Sequence, residues 1–560
     1  MEKIWLQHYQ EGVRAEIDPN EYQTIVEVFE QSCKKFASNP AFTCMGKTIS
    51  FAELDQLSAN FAAYLQNKTE LKPGDRIAIQ MPNVLQYPVA LFGALRAGLV
   101  VVNPNPLYTP REMEHQFNDS GAKAVVILAN FAYNLQTILP STKVKYVFTT
   151  EIGDMLGFPK SLIVNAVVKH VKKMVPAFSL PKAVKFTDAV KEGAQYKARP
   201  VLIKREDIAF LQYTGGTTGV SKGAMLTHHS VISNMLQISE WIKPILKEGK
   251  EVVITPLPLY HIFALVVNCL AFMKLGGRNI LITNPRDIPG FVKELGKYDF
   301  TLITGVNTLF NALLNNPSFA KLNFKSLKMA VGGAMAVQQV VVERWKKTTG
   351  ASLLEGYGLT EASPATHFNP LNGKDRVGYI GVPLPSTDAK IADENGNPLP
   401  PNTPGEICIR GPQVMLGYWQ RPEETAKMIR DGWLHTGDVG IYTEDGFFKI
   451  VDRIKNMILV SGFNVYPSEI EDVVAAHPGV LEVACVGIPD EKSGEVPKLF
   501  IVKRDPALTE ETILTFCREK LTNYKIPRSV EFRTELPKTN VGKILHRTLR
   551  DEELAKRANK

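Results

Sequence analysis

The stretch Tyr213-Thr-Gly-Gly-Thr-Thr-Gly-Val-Ser-Lys-Gly223 is the most informative part of this sequence. It holds four glycines, four serine or threonine residues and one lysine in eleven positions. Glycines let backbone N–H groups wrap closely around an anion, hydroxyl groups donate hydrogen bonds to it, and Lys222 adds a positive charge. The stretch therefore predicts a phosphate-binding loop. It is not a Walker A loop, because Lys222 precedes Gly223 and no G-x-x-x-x-G-K-[ST] pattern is present.

The residues alone also allow two other interpretations of this stretch. Gly219-Val-Ser-Lys-Gly223 fits G-x-S-x-G, the nucleophile elbow of serine hydrolases. Histidines and aspartates lie downstream, so a catalytic triad remains open. The elbow pattern does not explain the composition of residues 214–218, whereas the phosphate-binding interpretation does. A purely structural glycine loop is the third interpretation.

Strand-like and helix-like runs alternate on the amino-terminal side of this loop. Residues 76–81 and 124–128 are strand-like, and residues 84–97 are helical in pattern. Thr109-Pro-Arg-Glu112 predicts the start of a helix, because Thr caps it, Pro suits the first turn and Glu reaches back to the cap. Such alternation is typical of parallel sheets covered by helices.

The pattern changes on the carboxyl-terminal side. From about residue 376 to residue 452, Glu394-Asn-Gly396 and Asp445-Gly446 separate short alternating runs as hairpin turns do. This predicts a smaller β-rich subdomain. Beyond Arg453, helix and strand candidates alternate again over a length that suits a compact α+β domain.

We therefore predict an α/β protein with two domains. The large amino-terminal domain, residues 1–452, contains two parallel-rich α/β subdomains plus the β-rich subdomain, and residues 453–560 form the small α+β domain. The chain of 560 residues is 44% hydrophobic and 22% charged, which suits large buried cores and excludes disorder. Its six cysteines contain no C-x-x-C pair, which argues against a zinc knuckle, a thioredoxin-type pair or a disulfide scaffold and favours a reduced, cytoplasmic setting.

The net charge of +8 is concentrated in one segment. Between Lys160 and Pro200, nine lysines and arginines stand against two acidic residues. Leu162, Ile163, Ala166, Val167, His170 and Met174 recur there at helical spacing beside Lys169, Lys172 and Lys173. This spacing is typical of a basic amphipathic helix, and we expect the basic segment near residues 160–185 to contact an anionic membrane surface; a solvated surface helix is the alternative.

Other classes of partner and targeting segment are not indicated. No basic stripe with interleaved aromatic residues is present, so we expect no nucleic acid partner. The first residues contain no apolar stretch typical of a secretory signal. The longest apolar run, residues 84–102, is interrupted by Gln86, Pro88 and Arg96 and predicts a helix and a strand instead of a membrane span.

Further motifs follow the glycine-rich loop in order along the chain. They are Pro258-Leu-Tyr-His-Ile-Phe263, Val331-Gly-Gly-Ala334, Glu355-Gly-Tyr-Gly-Leu-Thr-Glu361, Trp433-Leu-His-Thr-Gly-Asp438, Asp452-Arg453, Val460-Ser-Gly-Phe-Asn-Val-Tyr-Pro467 and Pro537-Lys-Thr-Asn-Val-Gly-Lys543. Together with the loop they resemble the signatures of the adenylate-forming superfamily, which includes acyl-CoA ligases, peptide-synthetase adenylation domains and beetle luciferases. Within it, the whole chain is similar to the bacterial long-chain fatty acid–CoA ligases.

The resemblance implies a two-step reaction. A fatty acid reacts with MgATP to give acyl-AMP and pyrophosphate, and the acyl group then passes to coenzyme A with release of AMP. Mg²⁺ is the implied cofactor, and the implied location is the cytoplasm at the inner face of the membrane. The same chemistry on a medium-chain or aryl acid is an alternative, as is a membrane-associated fatty acid carrier without chemistry; a homodimer is left open.

The resemblance also implies which residues form the site. The ATP- and AMP-binding set is Tyr213, Thr214, Gly215, Gly216, Thr217, Thr218, Gly219, Lys222, Gly333, Ala334, Glu355, Gly356, Tyr357, Thr360, Asp438, Ile450, Arg453 and Lys543. Glu361 and Thr214 hold the metal, His261 lies beside the acyl carboxylate, and Lys543 bridges that carboxylate and the α-phosphate. Taken alone, each residue has an ordinary structural interpretation, such as a core histidine or a solvated lysine.

The small domain is implied to be mobile. It would rotate about a hinge at Lys455, a position where many relatives carry Asp, and so bring Ser461, Gly462 and Phe463 to the site for coenzyme A. The apolar runs at residues 262–273 and 305–314 are candidates to line the acyl chain.

Overall fold

The structure is a computed structural model that describes residues 2–214, 221–490, 492–539 and 542–558. The strands are β1 (Pro40–Cys44), β2 (Lys47–Ser50), β3 (Arg76–Gln80), β4 (Val100–Val102), β5 (Ala124–Leu128), β6 (Tyr146–Thr150), β7 (Val184–Lys185), β8 (Ile208–Thr214), β9 (Lys222–Thr227), β10 (Val252–Thr255), β11 (Arg278–Leu281), β12 (Leu302–Gly305), β13 (Met329–Gly332), β14 (Ser352–Gly358), β15 (Ala365–Phe368), β16 (Val382–Pro383), β17 (Asp388–Ala392), β18 (Gly405–Arg410), β19 (Gly417–Tyr418), β20 (Ile429–Arg430), β21 (Trp433–Tyr442), β22 (Phe448–Arg453), β23 (Ile458–Val460), β24 (Phe463–Val465), β25 (Val480–Asp490), β26 (Gly494–Lys503) and β27 (Ser529–Arg533).

The helices lie between these strands in the chain. They are α1 (Ile25–Lys35), α2 (Phe51–Lys68), α3 (Gln86–Arg96), α4 (Pro110–Ser120), α5 (Ala132–Ile138), α6 (Lys160–Ala166), α7 (Phe186–Gly193), α8 (His228–Ile242), α9 (Phe272–Lys274), α10 (Ile288–Leu295), α11 (Asn307–Asn315), α12 (Gln339–Thr349), α13 (Pro422–Met428), α14 (Pro467–Ala475), α15 (Glu510–Arg518) and α16 (His546–Ala558). A π-helical segment, Ala264–Ala271, leads directly into α9.

Four sheets organise the described residues. Sheet A has the order β16-β15-β14-β13-β12-β10-β11-β1-β2, and sheet B has the order β19-β9-β8-β4-β3-β5-β6-β7. Sheet C has the order β17-β18-β21-β20 with β22 beside β21, and sheet D has the order β24-β23-β26-β25 with β27 beside β26. In sheets A and B the central strands pair in parallel, for example β10 with β12 and β3 with β4, which confirms the predicted parallel-rich α/β architecture.

The local sequence explains these elements. Every residue of β5 is buried, as expected for an apolar run in the middle of a parallel sheet. The predicted start of α4 is confirmed: the backbone N–H of Glu112 donates to Thr109 Oγ1, and the backbone N–H of Thr109 donates to the Glu112 carboxylate at 2.8 Å. Helix α8 is buried along most of its length and packs against the π-helical segment.

The region predicted as one β-rich subdomain is more divided than its sequence indicates. Residues 388–453 supply sheet C, but β16 and β19 from the same region pair with β15 of sheet A and β9 of sheet B. These short antiparallel strands cover edges of the two large sheets, which would otherwise expose unpaired backbone groups. Sheet C ends at Arg453 and sheet D begins at Ile458, close to the boundary proposed from the sequence.

Candidate active site

A cavity of about 980 Å³ lies at the carboxyl ends of the parallel strands of sheet A and reaches sheets B and C and the small domain. Ligand sites in α/β proteins occur at this end of the strands. Many of the residues predicted from the sequence line it: Tyr213, Thr214, Lys222, His261, Gly333, Ala334, Gly356, Tyr357, Thr360, Glu361, Asp438, Arg453, Lys455 and Lys543. The predicted residues Gly215, Gly216, Thr217, Thr218 and Gly219 lie outside the described residues.

The glycine-rich stretch connects two strands of sheet B. Strands β8 and β9 pair antiparallel, with Thr214 opposite Lys222. The hydroxyl of Ser221 donates to the carbonyl of Thr214 at 2.9 Å. A nucleophile elbow requires a strand followed by a helix with an exposed serine hydroxyl. The serine hydrolase interpretation is therefore wrong, since Ser221 closes a strand–strand connection.

Lys222 has an acidic partner that the sequence did not suggest. Its ammonium group forms an ion pair with Glu424 of α13 and lies 5.2 Å from the centre of the Tyr418 ring. The hydrogen bond from Lys222 lowers the pKa of Glu424 to about 2. Because Lys222 and Glu424 are separated by 202 positions, only the tertiary structure reveals this ion pair.

Glu361 is the acidic group at the phosphate end of the cavity. It is buried, and its Oε1 accepts a hydrogen bond of 2.6 Å from the hydroxyl of Tyr418. Its Oε2 accepts none from the described residues. Thr214 and Thr360 line the same cavity. A buried carboxylate oxygen beside hydroxyl groups, at a site that would also hold phosphates, fits the oxygen ligands that Mg²⁺ prefers.

Three side chains from sheets A and C meet in another part of the cavity wall: Tyr357, Asp438 and Arg453. Asp438 and Arg453 face each other across β21 and β22, and Arg453 Nε lies 2.9 Å from Asp438 Oδ1. The hydroxyl of Tyr357 donates to Asp438 Oδ2 at 2.6 Å. The backbone N–H of Gly437 donates to the carboxylate of Glu406 at 2.9 Å, which fixes the turn before Asp438. An aromatic side chain and a carboxylate thus lie together in the wall of the cavity.

Lys543 enters the cavity from the small domain. Its loop touches the large domain, where the hydroxyl of Thr308 on α11 donates to the carbonyl of Gly542 at 3.3 Å. Within the loop, the backbone N–H of Lys543 donates to Thr539 Oγ1 at 3.1 Å. Burial and the nearby positive charge of Arg453 lower the pKa of Lys543 to about 8. The ammonium group is therefore poorly hydrated and close to losing its proton.

His261 lies at the boundary between the polar and apolar parts of the cavity. Its Nδ1 accepts a hydrogen bond of 3.3 Å from the backbone N–H of Phe263. Burial and the charge of Lys543 lower the pKa of His261 to about 4, so the imidazole is neutral at pH 7. A Cβ atom at Gly333 would lie 3.0 Å from the Phe263 ring, which explains why glycine suits this position.

Two predicted nucleotide-binding residues do not line the cavity. The carboxylate of Glu355 accepts a hydrogen bond of 3.3 Å from the backbone N–H of Val337, and burial raises its pKa to about 8. Ile450 lies in the middle of β22, where it is paired with Gly440. Their roles stay predictions from the resemblance.

The predicted coenzyme A residues lie away from the cavity. Ser461 and Gly462 form the turn between β23 and β24 with φ angles of 49° and 84°. Phe463 is 55% exposed and stacks on Tyr524 at 4.7 Å between ring centres. In this arrangement the small domain presents Lys543 to the cavity and Ser461–Gly462–Phe463 to solvent.

The acyl compartment is where the sequence was least informative. Of the two predicted apolar runs, residues 262–273 contribute Ile262, Phe263, Val267 and Phe272, whereas none of residues 305–314, all of which the structure describes, lines the cavity. Further apolar lining comes from α8, β12 and β13 and includes Ile238, Trp241, Ile242, Leu302, Met329 and Val331. Apolar residues at helical spacing on α8 have the same pattern as ordinary core residues, so no sequence signal distinguishes them.

Comparisons with known proteins agree with this geometry. The AMP-binding enzyme family matches residues 29–419, and the AMP-binding enzyme C-terminal domain matches residues 469–543. A long-chain-fatty-acid–CoA ligase of Escherichia coli O6:H1 is 59% identical over 561 residues, covering 100% of both chains. One of Haemophilus influenzae is 53% identical, also over 100% of both chains. The solved structure of ATP-bound MatB from Rhodopseudomonas palustris is 28% identical with a TM-score of 0.82, covering 94% of this chain and 98% of that one.

Proposed function

This chain belongs to the AMP-binding enzyme family, and from that membership we propose that it is a long-chain fatty acid–CoA ligase that forms AMP. It activates a fatty acid with MgATP to acyl-AMP and pyrophosphate, and then transfers the acyl group to coenzyme A. One observation carries the proposal: a single cavity joins Lys543, Glu361 and Asp438 to an apolar compartment. The names of the relatives at 53–59% identity support the long-chain fatty acid as substrate.

The first half-reaction solves a leaving-group problem. A carboxylate is a poor acylating agent, whereas its mixed anhydride with AMP carries a good leaving group. Lys543 places a poorly hydrated positive charge where the carboxylate and the α-phosphate, both anionic, must approach each other. Tyr357 and Asp438 orient the adenosine, and neutral His261 adds no charge beside the acyl carboxylate. The catalysis is positioning plus electrostatics, and no protein nucleophile is needed.

The pyrophosphate end combines Lys222, the glycine-rich loop and the metal-binding residues. Glu361, with Thr214, would hold Mg²⁺, and the bound ion would neutralise phosphate charge. Lys222 stabilises the departing pyrophosphate after its ammonium group has separated from Glu424. These groups act on charge that develops as the bond to pyrophosphate breaks.

The second half-reaction needs a different arrangement of the small domain. Lys543 lines the cavity together with His261, and the turn at residues 461–463 is exposed to solvent. We propose that rotation about Lys455 withdraws Lys543 and brings Ser461, Gly462 and Phe463 to the thioester-forming site. The glycine leaves room for the narrow pantetheine chain of coenzyme A.

The basic segment supports contact with a membrane surface. No helix in the described ranges is long and apolar enough to cross a bilayer. Helix α6 and the π-helical turn at Val167–Val171 instead expose apolar side chains, including Leu162 at 62% and Val171 at 74%. Lys169 lies within this turn, and Lys172 and Lys173 follow it. We propose that this surface lies on the anionic inner face of the cytoplasmic membrane, where fatty acids partition.

Measurement of AMP release with a panel of acids tests the function. With coenzyme A and Mg²⁺, long-chain acids should give more AMP than medium-chain or aryl acids, and the purified protein without acid should give none. A protein that binds fatty acids but forms no AMP would be a carrier, which contradicts the proposal. Size in solution decides between monomer and homodimer.

The Lys543→Ala variant separates the two half-reactions. It should lose fatty-acid-dependent pyrophosphate exchange and keep thioester formation from supplied acyl adenylate. Lys525→Ala is the matched control, because Lys525 lies in the same domain, pairs with Glu469 at 2.7 Å and does not line the cavity. Equal loss of both half-reactions in folded Lys543→Ala protein would overturn the proposed domain rotation.

A further inference from the structure

The cavity continues from the nucleotide end into a compartment with apolar walls. Three parts of the fold supply them: the last turns of α8, the π-helical segment with α9, and the first residues of β12 and β13. The walls are formed by Ile238, Trp241, Ile242, Phe272, Leu302 and Met329.

The direction of the strands shows which end of the compartment is deep. The parallel strands β12 and β13 point their carboxyl ends at the nucleotide residues, where Gly333 follows β13. Met329 and Leu302 are the first residues of those strands and therefore lie at the other end.

Trp241 lies on the last turn of α8, and the carbonyl of Ile245 just beyond this helix accepts a hydrogen bond of 3.0 Å from Lys328 Nζ, next to Met329. This end of α8 therefore lies at the deep end of the compartment. Trp241 is 1% exposed, and its indole N–H donates to the carbonyl of Asn369 at 3.2 Å. The ring of Tyr9 contacts it edge-on at 5.0 Å, and the hydroxyl of Tyr9 donates to the carbonyl of Pro383 at 2.7 Å. The side-chain amide of Gln10 donates to the backbone carbonyl of Trp241 at 2.6 Å. The indole is thus fixed from behind by the amino-terminal segment.

We propose that Trp241 is the fixed stop of the acyl-chain site and sets the longest fatty acid that the enzyme activates efficiently. This inference rests on the proposed function. A longer chain would have to displace an indole that is hydrogen-bonded and close-packed, which a protein interior resists. One methylene more or less in a hydrophobic pocket changes discrimination roughly tenfold or more, so the position of the stop determines the chain-length profile.

The test compares kcat/KM for saturated acids of increasing length in the AMP-release assay. In Trp241→Leu, the optimum should move to longer acids, and the ratio for an acid two carbons beyond the wild-type optimum should rise about tenfold. Trp241→Phe should shift the profile in the same direction by less. Val331→Phe, which adds volume to the wall between Gly333 and Met329, should shift the optimum to shorter acids.

Trp345→Leu is the matched control. Trp345 is also fully buried, but it packs against Phe310 at 4.9 Å between ring centres and does not line the cavity. The Trp345→Leu substitution removes the same kind of side chain from a core without altering the acyl compartment. The chain-length profile of this variant should therefore equal that of the wild type. A similar shift in Trp345→Leu would mean that loss of core packing causes the change.

The failures of the two proposals are distinguishable. Wild-type protein that releases no AMP with any acid would overturn the proposed function. If the wild type is active but the folded Trp241 variants keep its chain-length profile, only the proposal that Trp241 is the stop is overturned. This holds even if Val331→Phe shifts the optimum. Should Trp241→Leu not fold, Trp241→Phe decides by the same criterion.

Discussion

The charge of Lys543 should make the adenylation half-reaction fall as the pH rises through about 8. Burial and Arg453 lower the pKa of this ammonium group to about 8, and the protonated form is the one that neutralises the approaching anions. With that pKa, about nine-tenths of the enzyme carries the charge at pH 7 and about one-tenth at pH 9, a loss of about tenfold. An ordinary lysine, with a pKa of about 10.4, would lose almost nothing over the same interval.

Pyrophosphate exchange at limiting ATP is the appropriate assay, because kcat/KM reports the pKa values of the free enzyme. Thioester formation from supplied acyl adenylate should show the opposite trend, since the coenzyme A thiol ionises near a pKa of about 8.5 as cysteine does. The two half-reactions should therefore diverge above pH 8. A flat exchange profile up to pH 10 would refute the reasoning.

One other group titrates in the same interval. Burial raises the pKa of Glu355 to about 8. A fall in pyrophosphate exchange near pH 8 therefore does not by itself identify Lys543 as the titrating group. The Lys543→Arg variant separates the two, because a guanidinium stays charged throughout. Its exchange rate should be lower overall and independent of pH between 7 and 9. If pyrophosphate exchange still falls with pH in Lys543→Arg, the titrating group is Glu355 or another group.

Two further predictions concern other charged residues. Glu424→Gln should lower the KM for ATP by up to about fivefold in the AMP-release assay, because Lys222 then breaks no exposed ion pair before it binds phosphate; a higher KM would show that Glu424 positions Lys222. Replacing Lys169, Lys172 and Lys173 by Gln should weaken binding to vesicles containing phosphatidylserine by about a hundredfold at low salt, at about 1 kcal/mol per lysine. Co-sedimentation with the vesicles measures it.

Matched variants make these results specific. Lys325, Lys346 and Lys347 are exposed and lie outside the basic segment, so their replacement by Gln should leave vesicle binding unchanged. Equal loss in both triple variants would indicate an effect of net charge alone. For the nucleotide site, Glu343→Gln removes an exposed acid that pairs with Gln339 at 2.8 Å and should not change the KM for ATP.

The sequence by itself determined the elements and the set of motifs. The capping box at Thr109 and the fully buried β5 could be predicted because caps and apolar runs depend on neighbouring residues. The glycine- and hydroxyl-rich composition of the loop at Tyr213–Gly223 predicted phosphate chemistry for the same reason. Topology removed one of its interpretations, since the antiparallel pairing of β8 and β9 excludes the nucleophile elbow.

Only the tertiary structure decided which side chains meet. Three pairs in contact are far apart in the chain. Lys222 and Glu424 are 202 positions apart, Tyr357 and Asp438 are 81 apart, and Trp241 and Tyr9 are more than two hundred apart. The local sequence pattern carries no information about such partners. The pKa values of Lys543 and His261 likewise follow from burial at the cavity, which depends on how the small domain docks on the large one. Periodicity shows that Trp241 faces inward, whereas an empty compartment in front of it exists only once α8, β12 and β13 have packed.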